Sequence, residues 1–538
     1  MRKKPSKASL LRISELTLVG LWIPMSFATA ELPNEFEPEY SEAVLEFNAH
    51  NYDSTLKMLE VLQKKAPTSV EVLELRAISY RALKNSSGAS AAYRELIQMK
   101  TKSGSDKKEI APYAFELGML RYQDKEWKQA DSYFSYSAKN GFNTDLSRFY
   151  LGLVLSQEEE WARAQFNLKE TTIGKIDEIK PAAHYYLAQV NFKMGYPSRG
   201  FENLLEAKRL SENVLGREES SNESRKLAEQ VRVAAVATLS PFDHSQWFGN
   251  FSALLGYDSN VLLVPSNSVN SSTSSGKATL KSMLSTGVGF ASSPLASLQY
   301  VPSFRFNLNK NFNHDSSAGE FGDTTASLYL TKNALAPLAY GLKTEGTLVF
   351  QNQIDGAIGS SKYRLYDKAL TLAPYAKWDG SKSWLFSAEV GYRILNYTGE
   401  ESVASSLRRS GNGVVGKISA QLKSTARYFH PVYLFRFEAN RTEGDEFKSR
   451  LYGIQFINSF SLNKFEFAQV LAYEKTNYPN SSSLRIDSLY SLSLLASRKI
   501  GPRWEVVVSA DLTKNNSSDN TTYAYDRFTV ATGVGYRF

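Results

Sequence analysis

Two periodicities predict an α + β chain of two parts: an N-terminal α-solenoid of helix pairs and a C-terminal antiparallel transmembrane β-barrel of about 14 strands. Residues 31–240 carry apolar side chains at helical spacing and repeat themselves. After Pro241 the period falls to two, and the links between alternating segments are by turns long and short. A chain of 538 residues is too long for one ordinary core, so at least two domains are expected. The boundaries read as 1–30, a signal peptide; 31–240, a repeat domain; and 241–538, a barrel.

The N-terminal reading rests on charge and apolarity. Arg2, Lys3, Lys4, Lys7 and Arg12 form a basic region, residues 16–27 are mostly apolar, and Ala28-Thr29-Ala30 fits a small-x-small cleavage site. Five basic residues and one acid, Glu15, lie in this segment, so the net charge of +8 falls to +4 for the remainder. That modest excess gives no argument for a nucleic-acid partner. Cysteine is absent, which excludes disulfides, thiol chemistry and a lipid-attachment cysteine. Mean hydropathy is −0.34, and no uncharged apolar run beyond the signal approaches 18 residues. A helical span is thereby disfavoured, whereas barrel strands hide their apolar face by alternation.

The repeat is clearest in "ELGMLRYQDKEWKQADSYF" (116–134) against "YLGLVLSQEEEWARAQFNL" (150–168). Gly118, Trp127, Ala130 and Phe134 recur 34 residues later as Gly152, Trp161, Ala164 and Leu168. Three further copies keep the same small, small, large rule: Ala43/Thr55/Leu59, Ala77/Ala89/Tyr93 and Ala188/Gly200/Leu204. Small residues let paired helices approach closely, and the large one fills the space between repeats. Residues 222–238 read as a closing helix over the last apolar face. The spacing resembles the tetratricopeptide repeat, and that resemblance implies a concave groove lined by the first helix of each pair. Its lining would be Tyr40, Phe47, Phe115, Tyr122, Phe149, Tyr185 and Phe192, an aromatic surface for an extended peptide or for sugar rings.

Alternation carries the second half. In "WLFSAEVGYRI", Trp384, Phe386, Ala388, Val390, Tyr392 and Ile394 share one face, while Glu389 and Arg393 share the other. "RWEVVVSADLT" and "YLFRFEAN" behave alike, and about fourteen such segments run from 247–257 to 527–538. Long polar connections such as 258–278 and 514–526 alternate with short ones such as 292–296 and 498–502, the pattern of an outer-membrane barrel. Candidate lumen residues on the polar faces are Arg305, Lys343, Glu345, Glu389, Arg393, Lys417, Arg436, Glu438, Glu505, Asp511 and Arg537. Their mixed signs argue against strong ion selectivity. The chain stops on "GVGYRF", where Tyr536 and Phe538 share a face. This ending resembles the terminal signal read by the barrel assembly machinery.

Signal, repeats and barrel together resemble two families: the surface lipoprotein assembly modifiers, with fourteen-stranded barrels, and the polysaccharide export porins, with more repeats and sixteen strands. Size favours the first. That resemblance implies a translocon seated in the outer-membrane lipid bilayer, with its repeats in the periplasm. The repeats would hold a client, a lipoprotein or alternatively a polysaccharide, and raise its local concentration at the barrel. A passive diffusion porin is the third reading. No enzyme is expected, and no cofactor or metal: the five histidines (His50, His184, His244, His314, His430) are scattered without metal-ligand spacing, and "SSGKAT" (274–279) lacks the upstream glycine of a phosphate loop.

Overall fold

The computed structural model describes residues 34–265, 278–354, 361–424, 426 and 428–538. The expected signal peptide and the Ser/Asn-rich tract 266–277 lie outside these residues. What is described divides into two compact units, one ending at Leu239 and one running from Ser240 to Phe538.

The first unit is five helix pairs and a closing helix. The pairs are α1 (Glu37–Asn48) with α2 (Tyr52–Lys65), α3 (Val70–Ala82) with α4 (Ser86–Lys102), α5 (Lys107–Gln123) with α6 (Trp127–Lys139), α7 (Thr144–Gln157) with α8 (Trp161–Thr172), and α9 (Lys180–Met194) with α10 (Pro197–Gly216); α11 (Asn222–Leu239) comes last. Local chemistry starts several of them: Ser69, Asn85 and Asp106 accept hydrogen bonds from backbone amides of the first turns of α3, α4 and α5. Each copy of the repeat rule is realised in packing. Ala43, Ala77, Ala89, Ala130, Ala164, Ala188, Leu59, Phe134 and Leu168 are all fully buried. A Cβ on Gly118 would come within 3.0 Å of the Phe134 ring, and one on Gly152 within 2.6 Å of Leu168. The small residue is small because the large one of its own pair fills its space.

The turns inside the pairs repeat too. His50, Lys84, Lys125, Glu159 and Gly195 each sit two residues before a second helix with φ between 57° and 82°. Only one of the five is glycine, and side chains in the left-handed region carry a steric penalty. Lys125→Gly is therefore expected to stabilise the helical unit by about 0.5–1 kcal/mol. Urea denaturation followed by helical ellipticity reads this; a midpoint that falls would contradict it.

The second unit is a closed barrel. Its strands are β1 (Gln246–Asp258), β2 (Thr279–Ala291), β3 (Gln299–Asn311), β4 (Phe321–Lys332), β5 (Leu338–Ile354), β6 (Ser361–Trp378), β7 (Trp384–Tyr397), β8 (Gly411–Leu422), β9 (Pro431–Thr442), β10 (Ser449–Leu462), β11 (Phe465–Asn477), β12 (Ile486–Lys499), β13 (Trp504–Ser517) and β14 (Tyr525–Arg537). Every strand pairs antiparallel with its sequence neighbours, and β1 pairs with β14, Phe251 opposite Tyr536 and Asp258 opposite Thr529. Closure removes the free edges that an open sheet would expose. All fourteen expected segments fall on these strands. Connections 312–320 and 398–410 lie at one end, while 463–464 and 500–503 lie at the other.

The apolar set predicted for β7 is exposed on the outer wall (Phe386, Val390, Tyr392, Ile394), as are Trp504, Val506, Val508 and Leu512 of β13. Such a face is stable only against lipid or another apolar surface. At the short-turn end the rings cluster: Trp247 with Phe290, Trp378 and Trp384 with Phe386, Phe460 with Phe467, and Trp504 with Tyr536 at 4.9 Å. A band of aromatic rings thus marks that end of the barrel. Among the described residues no helix is long and apolar enough to cross a membrane.

Candidate functional site

On the repeats, the seven aromatic positions expected as groove lining are not equivalent. Tyr40, Phe47, Tyr122 and Phe192 are half-buried, whereas Phe115, Phe149 and Tyr185 are buried, Phe149 completely. For those three the expectation of an accessible groove surface is corrected: their rings pack inside the solenoid. Phe115 meets Phe134, Phe142 and Tyr150, and Phe149 meets Tyr150 and Tyr186. Tyr150 stacks on Phe134 at 5.5 Å, and Tyr185 continues the chain through Tyr186. Edge-to-face contacts thus link the third, fourth and fifth pairs, which makes the rings structural first. Of the half-buried set, Phe47 leans on Tyr52, Tyr122 on Trp127 and Phe192 on Phe201, each from within its own repeat.

Polar ties hold neighbouring repeats in register. Tyr113 Oη donates to the buried Glu74, Arg81 donates to Glu116, and Lys100 Nζ donates to Glu109 at 3.0 Å. Burial raises the pKa of Glu74 and Glu116, against the pull of Tyr113 and Arg81 respectively, and pushes the Tyr40 phenol up to about 12. His184 behaves in the opposite sense: burial lowers its pKa despite a 2.9 Å hydrogen bond with Asn203. A histidine with a depressed folded pKa binds fewer protons folded than unfolded. Its contribution is present above about pH 6.5 and is lost as pH falls through the folded value. His184→Gln is expected to flatten the loss of stability between about pH 7.5 and about pH 5 relative to the parent. Parallel pH slopes for the two proteins would contradict this.

In the barrel, ion pairs identify the inner wall. Lys343 on β5 reaches Glu389 on β7 at 3.5 Å, Arg393 on β7 reaches Glu438 on β9 at 2.8 Å, and Arg436 on β9 reaches Glu474 on β11 at 3.1 Å. Each pair skips an intervening strand. Adjacent strands lie about 4.8 Å apart, so side chains two strands away converge only on the concave face. The structure thus joins six of the candidate lumen residues, with Glu345 at 3.1 Å from Lys343, into a belt of alternating charge over β5–β11. Glu505 and Arg537 pair at 2.8 Å near the short-turn end. Among the described residues, Arg305, Lys417 and Asp511 stand outside these pairs. Arg305 and Lys417 are exposed on strand faces shared with Asn307 and Ser419.

Sequence reasoning missed the most buried charge. The Asp258 carboxylate, with no solvent exposure, receives Lys281 Nζ at 2.8 Å and Arg527 Nε at 3.0 Å, tying β1 to β2 and β14 at the long-loop end. Asn260 then folds the chain back: its side chain donates to the carbonyls of Val264 and Asp526, both at 3.0 Å, and accepts from Val264 N at 2.9 Å. The stretch "GYDSN" closes the first strand, and the loop after it begins as a tight turn tied to β14. Strand parity would have found Arg527, which shares its face with Arg537; the weak alternation of β2 hid Lys281.

Fold and site together define a class: a tetratricopeptide-like solenoid joined in one chain to a closed, fourteen-stranded barrel with a charged inner wall. Beyond the class, no family model and no curated protein matches the chain. Among solved structures, MamA aligns with a TM-score of 0.29 and 15% identity, covering 32% of this chain and 95% of that one. MamA 41-end from Desulfovibrio magneticus RS-1 gives 0.30 and 11%, covering 34% and 98%. YrrB, described as a TPR protein with an unusual peptide-binding site, gives 0.29 and 13%, covering 36% and 91%. These are partial likenesses of fold; the class stands on the helix pairs and the strand ladder.

Proposed function

We propose that this protein is an outer-membrane translocon or assembly factor, in which the helical repeats capture a client in the periplasm and the barrel delivers it to the cell surface. The client is a lipoprotein, as in the surface lipoprotein assembly modifiers that the chain resembles. The observation that supports this reading best is the union, in one chain, of a repeat scaffold of the kind used to hold extended segments with a barrel whose outer wall is apolar and whose inner wall is polar. Neither half requires a cofactor or a catalytic group for such work. Insertion depends on the barrel assembly machinery reading the terminal strand, where Tyr536 and Phe538 lie 6.2 Å apart.

The test compares lipoproteins open to external protease on intact wild-type cells, cells lacking the gene, and cells whose copy lacks 34–239. Delivery predicts one lipoprotein at normal total abundance that leaves the surface in both altered strains. An unchanged surface set removes the lipoprotein reading and puts polysaccharide export first. Surface display kept by the shortened copy would instead fit a passive pore.

A further inference from the structure

The long-loop mouth of the barrel holds a cavity of about 440 Å³ that the delivery reading does not use. It is lined by strand-end and loop residues of the inner wall, among them Tyr397, Arg409, Phe447, Arg485, Asp487 and Tyr525. Its volume lies in the range of small-ligand sites, and its lining combines flat apolar rings with a few converging polar groups.

Arg485 is its most constrained member. The guanidinium carbon lies 3.5 Å from the centre of the Tyr478 ring and 3.8 Å from that of Tyr523, so the group is clamped between two aromatic faces. The residue keeps only 5% of its exposure, yet its Nε makes no hydrogen bond among the described residues. The nearby Asp487 has one carboxylate oxygen 3.4 Å from that Nε, while its other oxygen, Oδ1, is buried and also without a hydrogen bond. Arg409 sits over Phe447 at 4.4 Å and donates to Tyr366 Oη at 2.7 Å. Asp487 Oδ1 is thus a buried acceptor left open beside a buried Nε held only by that long ion pair, an arrangement that is costly unless something bridges the two.

We propose that this mouth is a saccharide-binding site. A hydroxyl group is both donor and acceptor: it can accept from Arg485 Nε while donating to Asp487 Oδ1. Phosphate dianions and carboxylates only accept, and Asp487 repels them. The C–H faces of a sugar ring pack on the faces of Tyr397, Phe447 and Tyr525, so one ligand class uses both the rings and the open polar pair. An acidic peptide would use the arginines alone.

The site stands independently of lipoprotein delivery, and its test uses purified full-length protein in detergent. Calorimetric titration is made with neutral hexasaccharides built from glucose, galactose and N-acetylglucosamine, and with hexaglutamate as the peptide probe. At least one sugar is expected to bind with a Kd below about 1 mM. Arg485→Lys keeps the charge but removes the Nε donor, and is expected to weaken that binding about tenfold or more. Asp487→Leu, which removes the acceptor, is expected to do the same. Heat-modifiable migration on gels confirms that each variant is a folded barrel; a variant that fails this check is replaced by Tyr525→Ala, which removes a ring and leaves the polar pair. The proposal is overturned if no sugar binds, if hexaglutamate binds as tightly as the best sugar, or if folded variants bind like the parent.

Discussion

Asp258→Ala will destabilise the barrel by about 3–5 kcal/mol, the range found when one partner of a buried ion pair is removed. The carboxylate is wholly buried, and the Lys281 side chain facing it keeps only 7% of its exposure. Its loss strands that cation, releases Arg527, and unties Asn260 N, which donates to Asp258 Oδ1 at 3.1 Å. The effect is larger than that of an exposed pair because neither Asp258 nor Lys281 regains water. It also falls at the one place where the barrel closes on itself, β1 against β14. The readout is the temperature at which the folded form converts to the slow-migrating unfolded form on gels. Asp258→Asn, which keeps one acceptor oxygen but removes the charge and turns an amide NH2 toward the surrounding donors, should lie between parent and alanine variant. A conversion temperature unchanged by Asp258→Ala would show that the ladder alone closes the barrel.

A double-mutant cycle at Gly152 and Leu168 will be strongly non-additive. Gly152→Ala places a methyl 2.6 Å from Leu168 Cγ, closer than real contacts allow, and is expected to cost about 1–3 kcal/mol by overpacking. Leu168→Ala empties a fully buried site and is expected to cost about 2–5 kcal/mol. Combined, the new methyl occupies space that the lost leucine vacates, so the pair should cost less than the two single losses together by at least about 1 kcal/mol. Urea denaturation of all four proteins measures the cycle. Strict additivity would mean that the small and large positions of the repeat do not pack on each other, and the physical basis for reading the repeat from sequence would fall.

Much of this fold is legible in the amino-acid order. The small, small, large triplets locate all five helix pairs because close helix packing tolerates only small side chains at the crossing point. Alternation locates fourteen strands, since a wall that is apolar outside and polar inside imposes a period of two on both faces. The site is less legible, for two physical reasons. Tetratricopeptide spacing says which helix face a residue occupies but not what covers it, so Phe149 reads as groove lining although its ring is buried against Tyr150 and Tyr186. Inner-wall parity picks out Lys343, Glu389, Arg393 and Glu438, yet parity cannot say which charges meet across a skipped strand. The Asp258 cluster escapes for another reason: its members come from β1, β2 and β14, and the contact between the first and last strands exists only once the barrel closes.

The most direct test of capture followed by delivery uses photocrosslinking in living cells, with a photoreactive residue placed at Tyr122 on the repeats or at Asp511 on β13. Capture and delivery predict that the same surface lipoprotein is crosslinked from both positions, and that the adduct at 511 disappears when residues 34–239 are removed while the barrel still assembles. A lipoprotein that never crosslinks from 511, or that does so equally well without the repeats, would contradict the account.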